Sequence, residues 1–463
     1  MNTIWFPDLS ASDGPKYKTL TSSIRDAVAM RHLKKGERLP PVRDLAWELK
    51  ITPGTVARAY RKLVEDGVLQ AAVGRGTFVA DRTSAHVFES DPLINALQES
   101  TVDFRGCRVS DVGQGEIVKE ALIRVASRAG NRYVDYPTAA TDRAARAAVC
   151  HWIGPDHVGR IEPDDVVLGL GAQNCSILAL QSILRGAHPV IMTEQLTYPG
   201  VRRAAQLLRA EIVGLKMDSH GICPDSFEEA ARMHGGKVLL TSAEVHSPTT
   251  INTPLERKLE LADIARRHDI QIIEDDCHRI DTPKALSYRA IAPDLAWYIG
   301  SLTKSVAASL RFGFIVPPTG AAPLTLQVAQ SSFYGLPQPI LDVCEELILS
   351  GAASEVRKKV VQSCQERVHQ TVNVLGQWDI RWRPDAPFIW LKMPRGWRGS
   401  SFAVACKSRG IRVKPADEFA LPDGDSPNAV RLAVNATGND EARLAALGQI
   451  NQILQHPEQD AEI

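Results

Sequence analysis

No stretch of the sequence strings together the roughly 18 apolar residues that a membrane-crossing helix needs, so none is predicted. Cysteine is sparse: eight in 463 residues, at positions 107, 150, 175, 223, 277, 344, 364 and 406. No two stand as Cys-x-x-Cys, so neither a zinc site nor a disulfide framework is indicated; no metal is expected, and a reducing, cytoplasmic setting fits. Residues Met1 to Pro15 carry acids and a tryptophan where a secretory signal has a basic start and an apolar core, which argues against one. No internal repeat and no low-complexity tract occurs, which excludes a repeat array. Net charge is missing too: 54 Lys+Arg balance 54 Asp+Glu, and taken whole that balance argues against a nucleic-acid binder.

The zero is an average over two unlike parts. Residues 1–82 hold 14 Lys/Arg against 9 Asp/Glu, a net of +5, and the remainder holds 40 against 45. A basic N-terminal module on a mildly acidic body is the charge layout of a DNA-binding head on a sensor or enzyme domain. Length agrees with division, because single cores stop growing at about 250–300 residues. The expected organisation is a head at 1–82, a linker at 83–101 with a short helix around Leu93–Leu97, and a body at 102–463.

In the head, Leu20, Ile24, Ala27, Val28 and Leu33 fall at helical spacing, predicting a helix over 16–33 that Gly36 stops. Pro40-Pro41 starts a second helix through Lys50. Thr52-Pro53 is an N-cap followed by proline at the first helical position, and the third helix runs to about Asp66 with Gly67 as its stop. Val68 to Val73, Gly74-Arg75-Gly76 and Thr77 to Ala80 read as strand, glycine-rich turn, strand. Three helices and a hairpin make a winged helix. Its third helix presents Thr55, Arg58, Arg61 and Lys62 away from Val56, Ala59, Tyr60 and Leu63, a basic face suited to the major groove of double-stranded DNA. Arg43 is placed for the backbone or groove edge, and Arg75 at the wing tip for the minor groove. Leu39-Pro40-Pro41-Val42-Arg43-Asp44-Leu45-Ala46, Thr52-Pro53-Gly54-Thr55-Val56-Ala57-Arg58-Ala59-Tyr60 and Gly74-Arg75-Gly76-Thr77-Phe78-Val79 closely resemble the winged helix of the GntR family.

From Val102 onward, helical segments alternate with apolar runs such as Val166–Leu168, Val190–Met192, Val238–Leu240 and Ile270–Ile273. Near-continuous apolar strands separated by helices predict a mostly parallel, doubly covered sheet. Ser301-Leu302-Thr303-Lys304 followed by Leu310-Arg311-Phe312-Gly313 resembles the Schiff-base segment of fold-type I aminotransferases. A lysine after Ser/Thr is by itself a surface lysine; its companions carry the resemblance. Gly169 to Asn174 follows a strand and opens a helix whose N-terminal N–H groups, at Ala172 and Gln173, suit a phosphate.

The resemblance implies pyridoxal 5′-phosphate as cofactor and assigns the remaining residues. Lys304 would bind it covalently. Tyr198, in Glu194 to Gly200, would stack on the pyridine ring. Asp275 would pair with the ring nitrogen, Arg311 and Ser301 would hold the phosphate, and Arg431, in Ala429 to Ala433, would bind an effector carboxylate. Tyr136 would reach the neighbouring subunit's cofactor phosphate in a homodimer. Two places depart from the pattern. The usual Asn-Pro-Thr-Gly-like segment reads His246-Ser247-Pro248-Thr249-Thr250, which puts the contact to the cofactor 3′-oxygen in doubt. Cys277-His278 stands where a tyrosine is common, and His278 would either contact that oxygen or simply pack near the ring.

The expected fold is a winged helix-turn-helix joined to an α/β fold-type I aminotransferase-like domain with a smaller α+β subdomain. The combination resembles the MocR/GabR subfamily. It implies a regulator that binds an operator and senses a small amine or amino acid through aldimine formation at Lys304, using its body for sensing and leaving room for weak transaminase activity. The alternatives are an active aminotransferase carrying a DNA-binding domain, and a DNA-binding protein whose body is a cofactor-free scaffold.

Overall fold

Helix α1 (Lys16–Ala29) forms because Leu20, Ile24 and Ala27 recur on one face, and that face is fully buried. It stops four residues before the expected end. His32 and Leu33 both turn their N–H groups back onto the Ala27 carbonyl (2.8 and 3.1 Å), which breaks the helical ladder while keeping Leu33 in the core. Helix α2 (Val42–Glu48) buries Leu45 and Ala46. It too is shorter than expected, because Lys50 takes a left-handed conformation (φ 50°) and turns the chain toward α3 (Pro53–Glu65). The Thr52 hydroxyl accepts the Thr55 N–H at 3.3 Å as the N-cap. Val56, Ala59, Tyr60 and Leu63 are buried, and the Tyr60 hydroxyl donates to the Pro40 carbonyl (2.9 Å), tying α3 to the entry of α2.

Strands β1 (Leu69–Ala72) and β2 (Gly76–Val79) form an antiparallel hairpin with Leu69 opposite Val79. A third extended segment, absent from the sequence reading, runs along β2: Gly36 N–H donates to Val79, Val79 to Glu37 and Leu39 to Thr77. The structure, a computed structural model, describes residues 16–29, 32–34, 36–65, 68–72, 76–79, 101–128, 133–421 and 426–456. Arg75, Gly67 and the helix expected around Leu93–Leu97 lie outside the described residues.

The chain divides into two compact units, residues 1–92 and 93–463. The second is built on a seven-stranded sheet. Its strands are β3 (Val167–Gly169), β4 (Val190–Glu194), β5 (Glu211–Leu215), β6 (Val238–Thr241), β7 (Gln271–Asp275), β8 (Ala296–Ser301) and β9 (Gly313–Val316), in the order β3-β9-β8-β7-β6-β4-β5. All run parallel except β9, which is antiparallel to both neighbours. Both faces are covered. Ile273, Leu240 and Ile191 point into one apolar core, and Ile272, Leu239 and Met192 into another, as the two-residue side-chain period of a strand requires.

A smaller antiparallel sheet follows, of β10 (Ile380–Arg381), β11 (Phe388–Lys392), β12 (Lys414–Pro415) and β13 (Ala429–Ala433), ordered β10-β11-β13-β12. Its core is shared with the long helix Ala352–Leu375 and the helix Asp440–Gln455. The two-residue strand Val102–Asp103 pairs in parallel with Ile411–Arg412, so the start of the second unit is anchored to this subdomain. This matches the expected mostly parallel sheet with an α+β subdomain. Among the described residues no helix is long and apolar enough to cross a membrane.

Candidate functional site

Parallel strands deliver all their C-terminal ends to one edge of a sheet, where ligands of open α/β folds bind. Here that edge receives the turn after β3, the loop after β4, Asp275 at the end of β7 and Ser301 at the end of β8. The reversed direction of β9 brings its beginning to the same edge, because Gly313 pairs with both Gly169 and Ser301. Arg311, two residues before Gly313, therefore lands over the start of the helix Ala172–Ile183, and its Nη2 donates to the Leu170 carbonyl (2.9 Å).

Close approach at this point depends on glycine. Gly171 has φ 81°, and a Cβ there would lie 2.5 Å from Arg311 Nη2. Gly171→Ala is therefore expected to displace the Arg311 guanidinium and cost about 1–3 kcal/mol of stability, read by urea unfolding of the full-length protein. The helix start is fixed from the other side as well. The Gln173 amide donates to the Gly200 carbonyl (2.9 Å), and the Asn174 side-chain oxygen accepts the Leu170 N–H (2.9 Å).

Beside this cradle stands Asp275, buried, which accepts the Cys277 N–H at 3.1 Å. Burial, partly offset by that bond, pushes its carboxyl up to about 6. Its neighbour Asp276, on the other face of the chain, shows the contrast. Asp276 receives Arg279 Nε (2.6 Å) and the Tyr298 hydroxyl (2.8 Å), and those cationic and hydrogen-bonding partners hold it low despite burial. Among the described residues Asp275 forms no ion pair.

Lys304, half-buried, likewise has no carboxylate partner among the described residues; its Nζ donates to the Cys107 carbonyl. The Ser301 hydroxyl accepts a long bond from Thr303 N–H (3.4 Å). The Tyr198 ring meets the His278 ring edge-on at 6.0 Å, and burial with the nearby Cys277 and Asp275 raises its hydroxyl well above the usual tyrosine range. His278 also packs against Phe388 (5.5 Å). Burial, then the charges of Lys304 and Arg431, push it well below the usual histidine range, so it is neutral at neutral pH.

Arg431, in the central strand β13, is buried and lies over the Phe419 and Phe388 rings at 4.8 and 5.1 Å. It donates to the Ser247 hydroxyl (2.9 Å) and to the Arg105 carbonyl, while its Nε finds no partner and no carboxylate reaches it among the described residues. His246 has both ring nitrogens engaged, with the Thr249 hydroxyl (2.7 Å) and the Leu196 carbonyl (2.9 Å). Burial keeps it neutral.

Most sequence-chosen residues of the second unit thus converge on one edge. Tyr136 does not join them. It is 74% exposed, its ring beside Tyr334 at 5.4 Å. The residues missed from sequence are Arg105 and Cys107, which act through backbone carbonyls that have no sequence signature, together with Phe388 and Phe419.

In the first unit, Arg43, Arg58 and Arg61 are exposed, and Thr55 and Lys62 are partly so. The Arg58 guanidinium sits 4.0 Å above the Tyr17 ring of α1.

The donor set fits a cofactor that is at once a cation, an anion and an aldehyde. Among the described residues Asp275 has no cationic partner, the cradle of Arg311 and the helix start has no anionic one, and Lys304 is a primary amine whose acceptor is a backbone carbonyl, that of Cys107. Comparison with known proteins agrees. Residues 16–79 match the model for bacterial regulatory proteins of the gntR family, and residues 110–450 match that for aminotransferase class I and II. The chain is 25% identical over 441 residues to the uncharacterized HTH-type transcriptional regulator YdeF of Bacillus subtilis, covering 93% of each. It is 24% identical to the HTH-type transcriptional regulator TauR of Rhodobacter capsulatus, covering 90% of this chain and 92% of the other. It is also 25% identical to the pyridoxine biosynthesis transcriptional regulator PdxR of Corynebacterium glutamicum, covering 74% of each. Among solved structures, the fold matches LysN, an α-aminoadipate aminotransferase of Thermus thermophilus complexed with N-(5′-phosphopyridoxyl)-L-leucine. The TM-score is 0.68 at 22% identity, over 77% of this chain and 92% of that one.

Proposed function

Because the chain belongs to the aminotransferase class I and II family and carries a gntR-family helix-turn-helix head, we propose that it is a cytoplasmic, homodimeric transcription regulator of the MocR type. Its body would bind pyridoxal 5′-phosphate and sense a small amine or amino acid. The relatives named as transcriptional regulators, one of them of pyridoxine biosynthesis, support this reading.

Pyridoxal phosphate, when bound, supplies an aldehyde carbon that takes up a primary amine and a protonated ring that withdraws electrons from it. Lys304 offers the amine. Asp275 keeps a proton on the ring nitrogen. Arg311, Ser301 and the N–H groups of Ala172 and Gln173 bind the phosphate, and Tyr198 covers the ring face. Tyr136, exposed, serves the partner's phosphate. His278 is neutral and abuts the ring side of Tyr198; with His246 committed to Thr249 and Leu196, it is the better placed of the two for the 3′-oxygen. Arg431, a buried cation without a carboxylate partner among the described residues, would grip the carboxylate of the effector.

One observation carries the regulatory reading. Lys304 and Arg431, the two residues an amino acid would engage, both hold the backbone of Phe104–Cys107, through the Cys107 and Arg105 carbonyls. That segment opens the body directly after the linker. An effector that draws Lys304 and Arg431 to itself competes with those carbonyls, and so would bind more tightly to a form in which the segment is released than to the form seen here. Such a difference is the only thermodynamic means by which a ligand shifts the heads.

The test is operator binding by the full-length protein, with DNA from upstream of its own and adjacent genes. Affinity is expected to change on adding pyridoxal phosphate and an amino acid found by thermal-shift screening. Arg61→Ala is expected to lower DNA affinity about tenfold and to flatten its salt dependence. DNA affinity that ignores both ligands, together with steady turnover of an amino acid and a keto acid, would replace this reading with that of an active aminotransferase carrying a DNA-binding domain.

A further inference from the structure

The inward stripe of α1 runs through Tyr17, Leu20, Thr21 and Ile24, the i, i+3, i+4, i+7 spacing of one helix face. Leu20, Thr21 and Ile24 are buried, whereas Tyr17, at the outer end of the stripe, is only partly so. Its ring meets a residue of another helix instead of the core: the Arg58 guanidinium of α3 lies 4.0 Å from the ring centroid.

Arg58 is exposed, and no oxygen acceptor or ion-pair partner holds it among the described residues; the Tyr17 ring does. A π face fixes a guanidinium without using up its five N–H groups as a carboxylate would, so they stay available to an oxygen ligand. No acid stands in the first turn of α1 or of α3 to compete for them. Lys16 and Lys18, both exposed, flank Tyr17 in the chain and add to the positive charge at this corner. Stacking also removes rotamer freedom from Arg58 before any ligand arrives, so less is lost when one binds. The stack draws the guanidinium toward α1, to one side of α3. A helix lying in the major groove has base edges in front of it and phosphate strands at its sides.

We infer that Tyr17 is a positioning residue, whose ring pre-sets the Arg58 guanidinium to bind a phosphate of the DNA backbone at the flank of α3. This rests on the DNA-binding reading of the head and deepens it. A contact of this kind fixes the register and orientation of the helix on the duplex and carries no base preference.

The test is a double-mutant cycle on the full-length protein. Affinity is measured across a salt series for two duplexes of equal length, one from upstream of its own gene and one of scrambled sequence. Arg58→Ala is expected to weaken binding about tenfold on both and to reduce the salt slope by about 1. Tyr17→Leu is expected to weaken it about fivefold on both when Arg58 is present, and to add nothing when Arg58 is alanine. Tyr17→Phe, which keeps the ring, is expected to rescue the loss. A ring that only braces α1 against α3 would lower the urea midpoint and show no such coupling. Equal Tyr17→Leu losses in both Arg58 backgrounds, a Tyr17→Phe protein as weak as Tyr17→Leu, or losses on the upstream duplex alone would each overturn the inference. Tyr17→Met, which keeps apolar bulk at the rim of the core, repeats the cycle if Tyr17→Leu does not fold. Wild-type protein that binds neither duplex would remove the DNA-binding reading and this inference with it, whereas wild-type binding with additive losses would remove this inference alone.

Discussion

Lys304→Ala protein, incubated with pyridoxal phosphate and dialysed, is expected to return colourless, whereas wild type keeps a visible absorption band. The same variant is expected to bind operator DNA with an affinity that no amino acid alters. Lys304 is the one amine at the sheet edge that has no carboxylate partner among the described residues, and its present acceptor is a backbone carbonyl, Cys107, which a cofactor can displace without leaving a charge unpaired. The substitution removes half-buried methylenes and one hydrogen bond, so a fold-wide collapse is not expected; thermal unfolding within a few degrees of wild type checks this. Loss of colour with a preserved ligand response in DNA binding would separate cofactor retention from sensing, and would move the sensing step to Arg431. Loss of both together is what the shared grip of Lys304 and Arg431 on Phe104–Cys107 requires.

The same pair of residues marks how far the sequence could be read. Local pattern placed the turn at Gly169 to Asn174 between a strand and a helix, whereas Asp275, Ser301, Lys304 and Arg311 were singled out through the resemblance, since an acid at a strand end or a lysine after Ser/Thr carries no signal by itself. Their convergence follows from topology: one antiparallel strand, β9, carries Arg311 to the edge where parallel strands finish, and no local pattern distinguishes β9 from its neighbours. The partners of Lys304 and Arg431 were illegible for a different reason. They are main-chain carbonyls 197 and 326 residues away in sequence, and any side chain at those positions would expose the same oxygen. In the first unit the hydrophobic period placed three helices and a hairpin, but the extended segment beside β2 is made by backbone bonds from Gly36 to Leu39 that composition does not encode. Tyr136 was chosen by resemblance alone; in one chain it is exposed and stays apart from the other site residues.

Asp275→Asn is expected to change stability in opposite directions with and without cofactor. In the free protein the carboxyl is buried with no cationic partner among the described residues, and burial lifts it from the ordinary 3.8 to about 6. The sign follows from linkage. Between those values the folded state holds more protons than the unfolded chain, so stability falls as pH rises through the window, and above it a constant penalty remains. A shift of about two units corresponds to roughly 3 kcal/mol, which the neutral amide removes while still accepting the Cys277 N–H. The cofactor-free variant is therefore expected to be more stable than wild type at pH 7, by up to about 3 kcal/mol, with the advantage vanishing toward pH 4. With pyridoxal phosphate present the ranking reverses, because wild type gains a buried ion pair that the amide cannot form, and the variant's cofactor affinity is expected to fall at least about tenfold. Urea unfolding at pH 4, 5, 6 and 7, with and without cofactor, measures both arms. A cofactor-free variant less stable than wild type at pH 7 would mean that Asp275 already has a cationic partner, and the cradle would then have to be assigned to a ligand without a positive ring.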